Sequence, residues 1–202
     1  MTPRLAALAA PLLLLAACGE APAPATPAAP APPPPPPLTS AGPFKVSNAG
    51  VGVLTGETKF FIPDIQKAFP GSTAMETYID GPEVIAALTV TGEHGLKMDV
   101  MSAKGSNRVG AVFITGGPVE GPGGGKIKGR IADAGVTADQ CERGTGRYAG
   151  KLVCTPAGAA NVSYVVRGSA TAGTISEIFW SNGDPNAAAL GPRPIELTVK
   201  KG

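Results

Sequence analysis

His94 is the single histidine of the chain. Its side chain is the one type whose ordinary pKa suits proton transfer near neutrality. A general base needs a nucleophile beside it and an acid to orient it. Glu93 and Asp99 are the candidate acids. Glu93 is the immediate neighbour, and consecutive strand residues point to opposite faces. Asp99 follows across an expected turn, so it reaches His94 only in a suitable hairpin register. No G-x-S-x-G or equivalent nucleophile motif occurs. A solvated turn residue is therefore the expectation for His94. The Gly-rich run GGPVEGPGGG at 116–125 invites comparison with a phosphate cradle. A P-loop needs its lysine to be followed by Ser or Thr, whereas Lys126 is followed by Ile127. The dinucleotide fingerprint also needs a parallel crossover unit that is lacking here. A flexible connector is expected instead. Three Cys and one His leave little material for a zinc site. No catalytic residue, cofactor or metal ligand is nominated.

The basic residues are sparse. Lys126, Lys128 and Arg130 alternate, Lys200 and Lys201 lie near the carboxy terminus, and the net charge is only +2. Such a balance gives no field for nucleic acid. These residues read as solvated edges, with a weak contact to anionic glycan or lipid headgroups as the alternative. The single tryptophan, Trp180, follows Ile178 and Phe179 and reads as core or as a plug at a strand end.

The cysteines carry more information. Arg4 precedes a Leu/Ala run from Leu5 to Ala17, the pattern of a secretory signal. The run is shorter than the ~20 residues needed to span a bilayer. It ends in Leu15-Ala16-Ala17-Cys18-Gly19, which resembles the bacterial lipobox. That resemblance implies cleavage before Cys18 and acylation of its thiol and amine. Two or more acyl chains give stable anchoring. Gly19, rather than Asp, at the following position implies the outer membrane, by the sorting rule of such lipoproteins. Cys141 and Cys154 then remain as an even pair in an exported domain, which reads as a structural disulfide. Their spacing does not match a redox-active C-x-x-C.

Between anchor and domain the prolines concentrate: ten of the 22 lie between residues 21 and 40. The stretch APAPATPAAPAPPPPPPL cannot build a core. It should be polyproline II, and Pro22–Pro37 would reach at most ~50 Å. The expected organisation is a signal peptide at 1–17, a lipidated Cys and stalk at 18–42, and one globular domain at 43–202.

The elements that must position any site are mostly strands. Residues 46–54 read as an irregular strand with a turn at 48–50. Pro63 and Asp64 suit the first turn of a short helix that Pro70-Gly71 ends. Residues 72–79, 83–91, 96–102 and 108–115 have strand patterns, and the last three should form an antiparallel meander because their connections are short. Along 96–102, Leu96, Met98, Val100 and Ser102 face one way, while Lys97, Asp99 and Met101 face the other. Residues 127–135 read as a strand end running into a short helix capped by Gly135. Further strands are expected at 151–155, 161–167, 174–180 and 195–200, with a loop or arm at 181–194. The fold class is α+β: mainly antiparallel β-sheet with one or two short helices.

The order of several short motifs is similar to that in the YfeY-like lipoproteins, also called RpoE-regulated lipoproteins. These are Lys45-Val46-Ser47 with Gly50-Val51-Gly52-Val53-Leu54-Thr55, then Gly125-Lys126-Ile127, the two cysteines, Val162-Ser163-Tyr164, and Ile175-Ser176 followed by Ile178 and Trp180. The match spans about residues 45–180; the proline stalk and the tail after Trp180 depart from it. The family has no established activity, so no site residue follows. The resemblance implies an outer-membrane lipoprotein linked to envelope stress. The expected function is a non-enzymatic accessory or protein-binding domain facing the periplasm, held to the membrane by its lipid. An envelope protein or peptidoglycan is the expected partner, and the domain is expected to be monomeric. A small-ligand or glycan binder is the alternative.

Overall fold

The computed structural model describes residues 43–79 and 84–184. Cys18, the stalk and the strand expected at 195–200 lie outside the described residues. Within them the chain forms β1 (Phe44–Ser47), β2 (Gly50–Val51), β3 (Leu54–Thr55), α1 (Ile62–Ala68), β4 (Thr73–Ile79), β5 (Ile85–Thr91), β6 (Lys97–Ser102) and β7 (Val109–Gly116). There follow β8 (Val119–Glu120), β9 (Cys141–Arg143), β10 (Leu152–Cys154), β11 (Val162–Arg167) and β12 (Thr174–Ser181). Eight strands form one antiparallel sheet in the order β4-β5-β6-β7-β12-β11-β10-β9. A small ribbon, β3-β2-β1-β8, forms the second sheet. The architecture is the expected α+β class, mainly antiparallel.

The local chemistry explains most boundaries. Pro63 sits in the first turn of α1, where its missing N–H leaves no bond unmade. Asp64 lies at the positive end of the helix dipole and Lys67 at the negative end. Ile65 and Ala68 turn inward, and Phe69, just after the helix, meets Phe44 edge-to-face at 5.1 Å. The segment expected to hold a second helix is a single 3₁₀ turn, Ile131–Ala134, ended by Gly135 at φ 68°. The backbone N–H groups of Lys128 and Ile131 donate to Ile175 and Gly173 of β12 and its approach, so the strand-like part runs to Arg130 and only the last four residues turn.

One face of the large sheet carries the main core. Leu88, Val90, Met98, Val100, Val112, Ile114, Ile178 and Trp180 cluster there with Val46, Val51, Leu54, Ile65 and Ile131. Trp180 is core, and its indole N–H donates to the Asn48 carbonyl at 3.3 Å. The opposite face is not simply solvated. Met101, Ala111, Phe113, Phe179 and Ile85 form a second apolar cluster there. Met101 therefore does lie opposite Met98 and Val100, but it is buried.

The 116–125 segment is a built element and not a flexible connector. Val119 and Glu120 pair in parallel with Phe44 and Lys45, a pairing that a meander reading does not anticipate. Gly121 and Gly125 then lie against the Tyr164 ring: a Cβ on either would come within 2.4 Å of the phenol oxygen. That phenol donates to the Pro122 carbonyl at 2.5 Å. Those two glycines are required by close approach, which gives them a packing role and leaves no need for a phosphate.

Candidate functional site

The structure does not bring His94 together with Glu93 or Asp99 as a catalytic group. His94 is exposed in the turn between β5 and β6, at φ 54°. Asp99 accepts a hydrogen bond from Thr89 Oγ1 at 2.7 Å, so its partner is the neighbouring strand and not His94. The basic trio is largely paired. Lys126 reaches Glu120 at 3.5 Å, Arg130 reaches Asp133 at 2.7 Å, and Lys45 also binds Glu120. The Lys45 ammonium holds the Glu120 carboxyl below the usual range. Among the described residues, no three His, Cys, Asp or Glu side chains converge in a way that could hold a metal.

A buried charge that sequence reading missed lies on the outer face of the sheet. Glu177 is 6% exposed, and no other charged residue among those described is buried. Its carboxylate accepts the hydroxyl of Tyr148, itself 1% exposed. Burial pushes the Glu177 carboxyl upward, against the Tyr148 hydrogen bond and the cations Arg147 and Lys151, while Asp99 adds to the rise. Burial also pushes the Tyr148 phenol up. The Arg147 guanidinium lies over the Phe113 ring at 4.8 Å.

Two elements build this cluster. The β9–β10 hairpin folds its connection, 144–151, over the sheet, and the sulfurs of Cys141 and Cys154 lie at disulfide distance at its base, with Cα atoms 4.0 Å apart. A β-bulge in β12 supplies the rest. Val165 pairs with Glu177 and Val166 with Ile175, which leaves Ser176 as the extra residue. Its hydroxyl donates to the Val165 carbonyl at 3.0 Å. The extra residue turns Ile175 and Ile178 to the same core and sends Glu177 outward. An acid in the middle of the apolar strand TISEIFWS was the available signal. The cluster joins hairpin to sheet; it presents no nucleophile.

The accessible candidate is the β4 edge. Among the described residues, four of the five most exposed large apolar side chains lie at or near it: Phe61 at 56%, Met75 at 63%, Tyr78 at 68% and Val84 at 70%. An open groove of about 280 Å³ runs between the start of α1 and the β4–β5 hairpin, lined by Phe60, Phe61, Ile62, Glu76, Tyr78 and Leu88 among others. Glu76 pairs across the sheet with Leu88 and Tyr78 with Ala86, so both side chains stand on the groove side. Natural edges are protected by charges, proline, bulges, short length or a covering segment. β4 has one charge, Glu76, and no proline or bulge; its seven residues, TAMETYI, pair with β5 in unbroken register, and no described strand pairs with its other side.

No protein-family model matches the chain, and no curated protein does. A search of solved structures finds the crystal structure of the uncharacterized protein YfeY from Escherichia coli. It is 19% identical, with a TM-score of 0.54, and the match covers 68% of this chain and 99% of that one. The fold of this chain is thus that of YfeY, in agreement with the resemblance carried by its short motifs.

Proposed function

We propose that the protein is a lipid-anchored component of the bacterial cell envelope whose folded domain is a non-enzymatic protein-binding module. It receives its partner on the β4 edge of the large sheet. The lipobox at Cys18 and the proline stalk support the anchored placement, in the outer membrane with the domain in the periplasm. The observation that carries the binding role is the regular seven-residue edge, with no described strand on its outer side, beside an apolar groove. An added strand makes main-chain hydrogen bonds, and side-chain pockets select it. A glycan would need converging polar partners. The groove offers few beyond the Glu76 carboxylate and the Tyr78 hydroxyl, which favours a peptide.

In-cell photo-crosslinking tests the reading. A crosslinkable residue at position 78 should trap a discrete partner. The same residue at exposed Thr171 should not, and the identified partner, once purified, should bind the wild-type chain and fail to bind Tyr78→Lys. Equal trapping at both positions, or none at position 78, would overturn it.

A further inference from the structure

We infer that the partner supplies an extended segment with a basic residue opposite Glu76 and an apolar residue two positions away, over Tyr78 and Phe61. This rests on the docking reading above and specifies its chemistry. Glu76 is the central residue of β4 and its one charge. It is exposed, it is the one charged residue among the described residues that line the groove, and no described residue bonds to its carboxylate. Side chains along an added strand alternate, so residues two apart share the groove side. A cation at the first such position meets the carboxylate; an apolar group at the next meets the aromatic pair. Outward-facing Met75, on the other side of β4, adds apolar surface for the intervening residue.

The same charge disfavours a second copy of this chain as occupant. Two β4 strands paired antiparallel over their full length would set Glu76 directly against Glu76. Like charges placed directly opposite each other destabilise a strand pair.

Labelled nonapeptides of threonine, with valine two positions either side of a central Lys, Gln or Glu, make the test. Binding of each to the purified chain is read by fluorescence anisotropy at low salt. The Lys peptide should bind roughly fivefold more tightly than the Glu peptide, as expected for exchanging a like for an opposite cross-strand charge. Glu76→Lys should invert the order while leaving the melting temperature unchanged. Affinity independent of the central residue would overturn the inference. So would a dimer that excludes all three peptides, or binding that appears only after truncation at Asp184, since the chain's own carboxy-terminal segment would then be the occupant. If no peptide binds while position 78 still traps a partner, this inference falls and the docking reading stands. If position 78 traps nothing, both fall.

Discussion

Glu177 is the residue at which burial and charge conflict most directly. Its folded carboxyl holds a proton more tightly than the unfolded one, because burial disfavours the anion. The sign follows from linkage. The group is best tolerated below its unfolded pKa of about 4.3, and stability declines as pH rises toward the folded value. Glu177→Gln keeps an acceptor for the Tyr148 hydroxyl and removes the charge. It should melt several degrees above wild type near neutral pH, with the gap closing as pH falls toward about 4. An offset that stays constant across that range in thermal melts would show that charge is not the cause. The glycines against Tyr164 give a second test at this scale. Gly125→Ala should cost about 1–3 kcal/mol by overpacking, measured by urea unfolding. Tyr164→Phe, which keeps the ring and loses the bond to Pro122, should cost less, about 1 kcal/mol.

At the scale of elements, the β9–β10 hairpin and the β4 edge behave oppositely. The hairpin is tied at its base by the cysteine pair and at its tip by Tyr148 and Arg147. With a sequence separation of 13, closing the loop contributes about 3 kcal/mol in the chain-entropy model. Cys141→Ser should therefore lower stability by about 2–4 kcal/mol, and non-reducing peptide mapping of the wild type should find the two cysteines linked. Protection of the hairpin amides in hydrogen exchange should fall first in the variant. The β4 edge carries Met75 and Tyr78 in solvent, so Tyr78→Lys should change stability by no more than about 0.5 kcal/mol. Partner capture should nevertheless be lost.

For the whole molecule, the folded domain and the proline-rich run before it should be separable. Deleting Pro22–Pro37 should leave the melting temperature of the domain unchanged within error, since such a proline-rich run has little apolar surface to bury. A drop of several degrees would mean that the run packs on the domain. Cys18→Ser should abolish incorporation of labelled palmitate and release the protein from membranes.

The strand periodicities, the short helix at Pro63 and the turn at Asn48 were legible in the sequence because each depends on residues adjacent along the chain. Alternation at 96–102 assigned Met98 and Val100 to one face and Met101 to the other. It could not say that the outer face also holds an apolar cluster, since that depends on which side chains of β5, β6, β7 and β12 meet there. The 116–125 segment reads as loose because glycine and proline dominate it. Its order comes from Tyr164 and from β1, residues far away in sequence. Glu177 was overlooked because simple alternation does not foresee the bulge at Ser176, and only pairing with Val165 and Val166 fixes where the extra residue goes. The same holds for the candidate docking site. TAMETYI was legible as a strand, but whether a strand lies inside a sheet or at its edge is decided by which neighbours pair with it. The sequence by itself determined most of the local elements of the described domain. The tertiary structure alone decided which face is buried, which acid loses its water and which strand ends the described sheet, because each is set by contacts between residues distant along the chain.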